Sequence, residues 1–326
     1  MLESISLPLC GAVRTEYGGW SGLREELARL GCGGIEAIWA GEDLPADFPP
    51  DLLGGYHLTF FPDWLDFYRE DKPALLAKYG SMEAVRQFYG GAGAETLLNL
   101  YRADLERAAA LRARYVVFHV SDVSVDEGYT YQWLHGDREV IDASVEVLNT
   151  LLTGRDWPFA VLVENQWWPG FTFTDPDMTA RLVEGIRYPD KGILLDTGHL
   201  MNTNPDLRTQ EEGALYLIDM LERHGTLSQA VRGVHLHQSL SGAYVRKHTG
   251  FLPQNQPRTP IERFCASYQH ILQIDRHRPW TDPAILPVLE RIAPEFLTHE
   301  LQAGDRAARF QAVRTQRDLL ERGGLV

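Results

Sequence analysis

The chain has few cysteines, no long apolar run and no surplus of positive charge, and each shortage excludes something. Three cysteines in 326 residues, Cys10, Cys32 and Cys265, are odd in number and far apart, and none forms a CxxC pair. That fits a reducing cytoplasm better than a disulfide framework and argues against thiolate zinc ligation. No stretch approaches the 18 or so apolar residues a spanning helix needs. The N-terminal MLESISLPLCG lacks the basic-then-apolar pattern of a secretory leader, so a cytoplasmic location is expected. Lys and Arg total 31 against 45 Asp and Glu, a net charge of −14, which disfavours nucleic acid as a partner. No GxGxxG opens a helix, so a dinucleotide fold is not indicated.

What is present is alternation. Apolar runs of strand type lie at Ile5–Leu9, Gly34–Trp39, Tyr56–Phe60, Tyr115–Val120, Phe159–Glu164, Gly192–Asp196, Val231–Leu236 and Phe296–Glu300. Segments of helical period separate them, among them Gly22–Leu30, Glu95–Ala113, Arg138–Leu152, Pro176–Gly185, Glu211–Arg223 and Pro283–Ile292, and Asp305–Glu321 closes the chain. Strands that alternate with helices imply parallel pairing by right-handed crossovers, and eight of them close a barrel. The expectation is a single (β/α)8 TIM barrel domain over residues 1–326. Two connections exceed the minimum, Phe61–Ala94 after the third strand and Gln238–Asp282 after the seventh, and both follow strand C-termini, where they would form a lid or substrate collar. The outer helices are compatible with a homo-oligomer, without specifying one.

Polar and ionisable residues end the strands with regularity: His57, His119, Glu164-Asn165, Asp196-Thr197-Gly198-His199, His235-Leu236-His237 and His299-Glu300. A barrel brings strand C-termini to one mouth, so these groups would face a common volume. Any one of them alone is more often a hydrogen-bonded cap. Buried carboxylates behind apolar runs, as at Glu164 and Asp196, need compensation, and carboxylates with imidazoles are what Mn2+, Zn2+, Co2+ or Mg2+ accept. A divalent metal site is expected.

In order and spacing over nearly the whole chain, the pattern resembles the xylose isomerase-like barrel superfamily, which includes sugar isomerases, epimerases and endonuclease IV. Leu194–His199, LLDTGH, resembles the family's strand-six Asp-x-x-His. The resemblance implies Glu164, Asp196, His235 and Glu300 as metal ligands, with His237 an alternative to His235. It implies His199 as a substrate-binding residue and Glu164 and Glu300 as the acid/base pair of an isomerase or epimerase that moves a proton through an enediolate on a small carbohydrate. Endonuclease IV uses further histidines for a three-zinc centre. His57, His119 and His248 fall near those extra positions, but Arg246 stands where the acid of the Asp-x-His pair would be, which counts against a third metal and hence against phosphoester hydrolysis. Lyase chemistry, including cleavage of a carbon-linked glycoside, and a non-catalytic metal- or sugar-binding barrel stay open. His57, His119, Trp167 and His277 are further candidates for substrate contact. Trp167-Trp168 reads equally as sugar-stacking wall or loop core, and the Asp275-x-His277 pair more as a hydrogen bond bracing the insert.

Overall fold

Side-chain alternation decides the architecture. In the computed structural model, which describes residues 1–41 and 47–326, successive residues of each strand face opposite sides. One set, including Ile5, Ile35, Val116, Val161, Ile193 and Val234, packs into a large core. The other set, Tyr115, Val117, Ala160, Leu162 and Leu194 with Phe296 against them, forms a separate small cluster. Two cores on opposite faces of the same strands are what a sheet closed on itself produces, the larger lying under the helices and the smaller filling the interior.

The strands are β1 (Leu2–Leu9), β2 (Gly34–Trp39), β3 (Leu53–His57), β4 (Tyr115–His119), β5 (Ala160–Glu164), β6 (Lys191–Asp196), β7 (Val231–His235) and β8 (Phe296–His299). They pair in sequence order and close β8 onto β1, all in parallel. The protein is a (β/α)8 TIM barrel. Helices fall where the periodicity places them, several with side-chain caps on their free N–H groups. Asp175 caps Pro176–Gly185, Thr209 caps Gln210–His224 and Asp305 caps Arg306–Arg322. No helix among the described residues is long and apolar enough to cross a membrane.

The third strand departs from the expected Tyr56–Phe60, beginning and ending three residues earlier. Gly54-Gly55 resembles a turn in sequence, yet both glycines lie in the strand. A Cβ on Gly55 would come within 2.2 Å of the Tyr115 ring. The bare glycine makes room for that interior phenol, which reaches Glu36 at 2.7 Å and Thr298 at 3.0 Å.

The segment after β3 folds into helices Leu65–Tyr68, Lys72–Tyr79 and Met82–Tyr89, and the segment after β7 carries Gly242–His248 and Pro260–Ile274. A buried ionic knot anchors the first of these. Lys78 Nζ lies 2.6 Å from Asp63 and 2.8 Å from Asp66, and His135 Nε2 sits 3.1 Å from the other Asp66 oxygen. The hydrogen bond to Asp66, opposed by burial, raises His135 from its ordinary 6.5 to about 9. A histidine raised on folding adds stability that is complete below its unfolded value and is lost as pH climbs through the folded one. Wild-type stability should therefore fall between about pH 6.5 and 9, and His135→Gln should flatten that decline. Denaturant midpoints measured across this window check it; parallel curves for the two proteins would refute the assignment.

Candidate functional site

Six interior strand positions end at one mouth: His57, His119, Glu164, Asp196 and His235 close β3 to β7, and Glu300 follows β8 directly. Register sets them side by side, with His119 opposite Glu164 and Asp196 opposite His235. Asn165 locks the β5 and β6 ends together, its side-chain oxygen accepting from Asp196 N at 2.8 Å and its amide donating to Asp196 O at 3.1 Å.

The Asp-x-x-His sequence has a local cause. β6 runs without a loop into the helix Thr197–Asn202, and Asp196 is its N-cap, one oxygen accepting from His199 N at 2.6 Å. Cap geometry therefore turns His199 back over the same volume its cap faces.

Three neighbouring groups of ligand-type atoms result. The first is His57, His119 and Glu164. Both Nε2 atoms approach Glu164 Oε2, at 3.3 and 2.9 Å, and they lie 3.0 Å from each other. His57 Nδ1 is 3.0 Å from the Leu58 carbonyl, so it donates there and turns Nε2 toward the mouth. The second group is Glu164, Asp196, His235 and Glu300. His235 Nδ1 stands 2.7 Å from Glu300, 3.4 Å from Glu164 and 3.7 Å from Asp196. The third is His199, His237, Asp275 and His277. Asp275 Oδ2 lies 3.2 Å from His199 Nε2 and 2.6 Å from His277 Nε2. Two contacts join it to the rest: His199 Nδ1 to Glu164 at 3.2 Å, and His237 Nε2 to Asp196 at 2.8 Å.

Compensating charge governs the electrostatics. Burial would raise Glu164, but the positive charge of His119 and His235 holds it well below the ordinary carboxylate value. Glu300, likewise raised by burial, is brought down to about 2 by His235. Glu164 Oε2, His235 Nδ1, His277 Nε2 and Glu300 Oε2 are buried close to charged neighbours, yet at angles that make no hydrogen bond. Such orphaned atoms are rare in native cores, and here they crowd a single volume. The donor set, imidazole nitrogen with carboxylate oxygen, suits zinc, manganese or cobalt better than magnesium or calcium. The residues present fit divalent ions.

Several placements differ from the sequence reading or extend it. His248 lies apart; it ends the helix Gly242–His248 with its ring stacked 4.4 Å from Tyr244. Arg246 bonds Pro205 and Asp206 and is not part of the site. The Asp-x-His pair at the mouth is instead Asp275-Arg276-His277, carried in by the second insertion. A two-residue antiparallel bridge, Gln238 N to Arg278 O at 2.8 Å and Arg278 N to Gln238 O at 3.1 Å, pins that segment to the chain just beyond β7. His277 takes a left-handed backbone, φ 43°, uncommon for residues other than glycine. His235 and His237 are both at the mouth, in adjoining groups. Trp167 packs 5.0 Å from the His199 ring and 4.2 Å from Trp168.

Two residues of the site have little signature in the sequence. Asp275 reads there only as a brace for its histidine. Glu36, wholly buried in β2, stands 2.8 Å behind His235 Nε2 and accepts from Tyr115 and Thr298. It orients the imidazole so that Nδ1 faces the mouth, as carboxylates behind ligating histidines do. A lone Glu inside an apolar strand is the available signal. One more trio, Glu3, Cys32 and His299, lies on the outer face of the barrel. Arg317 already donates to both Glu3 oxygens, at 2.7 and 3.0 Å, so that trio is part of the packing.

Above the mouth lies a cavity of about 800 Å3, bounded by both insertions and by the Trp167-Trp168 loop.

Comparison with known proteins agrees with this architecture. Residues 24–292 match the family model described as xylose isomerase-like TIM barrel. Similar solved structures include endonuclease IV from Thermus thermophilus, 17% identical with 99% of this chain and 100% of that one covered at a TM-score of 0.56. D-psicose 3-epimerase in the presence of D-fructose is 11% identical, covering 100% of each chain, TM-score 0.52. Mannonate dehydratase from Streptococcus suis serotype2 is 11% identical, covering 99% and 93%, TM-score 0.53. A search of curated proteins finds no match. Identities this low speak for the fold alone, whereas the family match spans most of the sequence: the chain belongs to the xylose isomerase-like TIM barrel family.

Proposed function

We propose that this protein is a multinuclear metal-dependent hydrolase acting on a phosphoester. The observation that carries the reading is the continuity of the three ligand-type groups, the first two sharing Glu164 and the third joined to them through His199 and His237. A one-metal isomerase needs as ligands only the four residues Glu164, Asp196, His235 and Glu300, and would leave His57, His119 and His277 to contact substrate, whereas the hydrolase uses them as ligands. Arg246, the residue that weighs against a third metal in the sequence, does not stand in the site, and Asp275 fills the role it could not.

His57, His119 and Glu164 would hold one ion, Glu164, Asp196, His235 and Glu300 a second, and His199, Asp275 and His277 a third, with His237 bracing Asp196. Divalent cations, when bound, supply Lewis-acid polarisation of a phosphoryl oxygen and activation of water. The chain's own contribution is to hold these ligands before substrate arrives. The Leu58 carbonyl sets His57, Glu36 sets His235, and the Asn165 clamp sets the β5–β6 spacing. The cavity walls limit water around the reacting group, which strengthens every charge interaction inside. In the reaction, a water oxygen bonds to phosphorus, the bond from phosphorus to the alcohol oxygen breaks, and the leaving oxygen takes a proton.

One observation favours the sugar isomerase or epimerase reading. Glu164 and Glu300 come from strands on either side of the mouth with His235 between them, the disposition a proton exchange at a carbohydrate carbon would use. Elemental analysis of protein purified without chelator separates the two. Two or three zinc, manganese or cobalt ions per chain, with turnover of p-nitrophenyl phosphate, bis-p-nitrophenyl phosphate or an abasic-site oligonucleotide, are expected. A single ion together with keto-sugar epimerisation would overturn the hydrolase.

A further inference from the structure

The walls of the cavity differ in character from its floor. The floor is the ligand cluster, with His57, His119, His199, Asp275, His277 and Glu300 all lining it. The walls above are built by Phe60, Phe88, Trp167, Trp168, Phe264 and Ile271. Phe88 of the first insertion and Phe264 of the second meet edge to face at 5.8 Å, so the two insertions close over the mouth as one apolar surface.

Several polar groups in the wall are already engaged, although the Trp167 and Trp168 indole N–H groups are buried without a partner. Lys78 is spent on Asp63 and Asp66, and Arg263 on Asp126. Ser124 caps the helix Val125–Thr130, Gln166 reaches the His199 ring at 3.1 Å, and Ser267 donates to the Phe264 carbonyl. A polynucleotide needs cations along its phosphates. A free sugar needs donors and acceptors for its hydroxyls, since leaving either side unpaired is costly. This wall offers neither in quantity, while its aromatic rings suit a flat apolar group. The volume, about 800 Å3, falls within the range of pockets for small organic ligands.

Resting on the hydrolase reading above, we propose that the substrate is a small phosphoester of a hydrophobic alcohol. Its phosphoryl group lies on the ligand floor, and an aryl or comparably bulky apolar group lies against Phe60, Phe88, Trp167, Phe264 and Ile271. Hydrolysis releases that alcohol and phosphate, with water as the only co-reactant.

Non-hydrolysable phosphonates test this by binding, independently of turnover. Protein purified without chelator is titrated by calorimetry with methylphosphonate, phenylphosphonate and phenol. Phenylphosphonate is expected to bind on the order of 10- to 100-fold more tightly than methylphosphonate, the gain from burying a phenyl ring. Phe264→Ser and Ile271→Ser, each confirmed as folded by its melting curve, should reduce that ratio. Equal affinity for the two phosphonates would overturn the apolar wall and leave the hydrolase standing. Phenol binding as well as phenylphosphonate would keep the wall and overturn the phosphoester. Tighter binding of glucose 6-phosphate than of phenylphosphonate would overturn the substrate class while leaving phosphate recognition in place.

Discussion

Glu164→Gln is expected to remove turnover and bound metal together. Glu164 belongs to two of the three ligand groups and lies within 3.4 Å of His57, His119, His199 and His235. Glutamine keeps the shape, but it takes the negative charge from the point where the groups meet. Losing about 4 kcal/mol of transition-state stabilisation, the scale of a Lewis-acid contribution, lowers the rate by about 10³ at 1.4 kcal/mol per tenfold. Elemental analysis should show at least one ion fewer per chain than wild type. Glu300→Gln, which touches only the second group, should lose less metal. In chelated protein Glu164 is paired with its neighbouring histidines, so the chelated variant should melt below chelated wild type. A Glu164→Gln protein with full metal content and wild-type turnover would end the multinuclear reading.

Arg317→Met should destabilise the protein by about 3 kcal/mol, the scale of removing one partner of a buried ion pair. Arg317 is only 8% exposed and donates to both oxygens of Glu3, to the Leu30 carbonyl and to Glu321. It ties β1, the end of the helix Trp20–Leu30 and the closing helix Arg306–Arg322 into one seam. Gly31 is shaped to it. The residue takes a left-handed φ of 76°, and a Cβ there would come within 2.1 Å of the guanidinium. Leaving Glu3 charged with only His299 Nε2, at 3.3 Å, for a partner is what costs stability, so Glu3→Gln combined with Arg317→Met should recover part of the loss. Urea midpoints for the two single variants and the double measure the coupling; additive effects would mean the seam is held by packing rather than by charge.

The barrel was legible because its signal is local and repeated. Apolar runs of strand length alternate with helical periods, and the order of elements leaves little freedom in a parallel sheet. The third strand slipped because the reason for Gly54-Gly55 is non-local: the Tyr115 ring that occupies Gly55's missing side chain comes from the next strand, sixty residues on. The same division runs through the site. His119, Glu164, Asp196, His235 and Glu300 were legible as strand ends, His57 only as a histidine within the misplaced third strand, and His199 as the third residue after its cap. Asp275 was not, because its arrival depends on how a long insertion folds back and on the two-residue bridge between Gln238 and Arg278. Spacing from the seventh strand suggested His248 instead, and spacing carries no information about where an inserted helix points. Glu36 went unseen because a carboxylate within an apolar strand has meaning only once His235, Tyr115 and Thr298 stand around it.

The alternation that sends every second side chain inward also constrains how such a protein can change over time. Deleting one residue within β5 would shift the phase of the rest of that strand, offering Val163 or Asn165 to the interior and turning Glu164 toward the helices. The barrel would still have apolar residues for both faces, but its chemistry would be gone in one step. Substitutions can adjust the mouth gradually; gains and losses of length can survive only beyond the strand ends. The chain carries its surplus length there, in the segments after β3 and β7. These same segments build the cavity wall, so the part of the protein freest to lengthen is the part that selects what enters, while the strands keep the floor in phase.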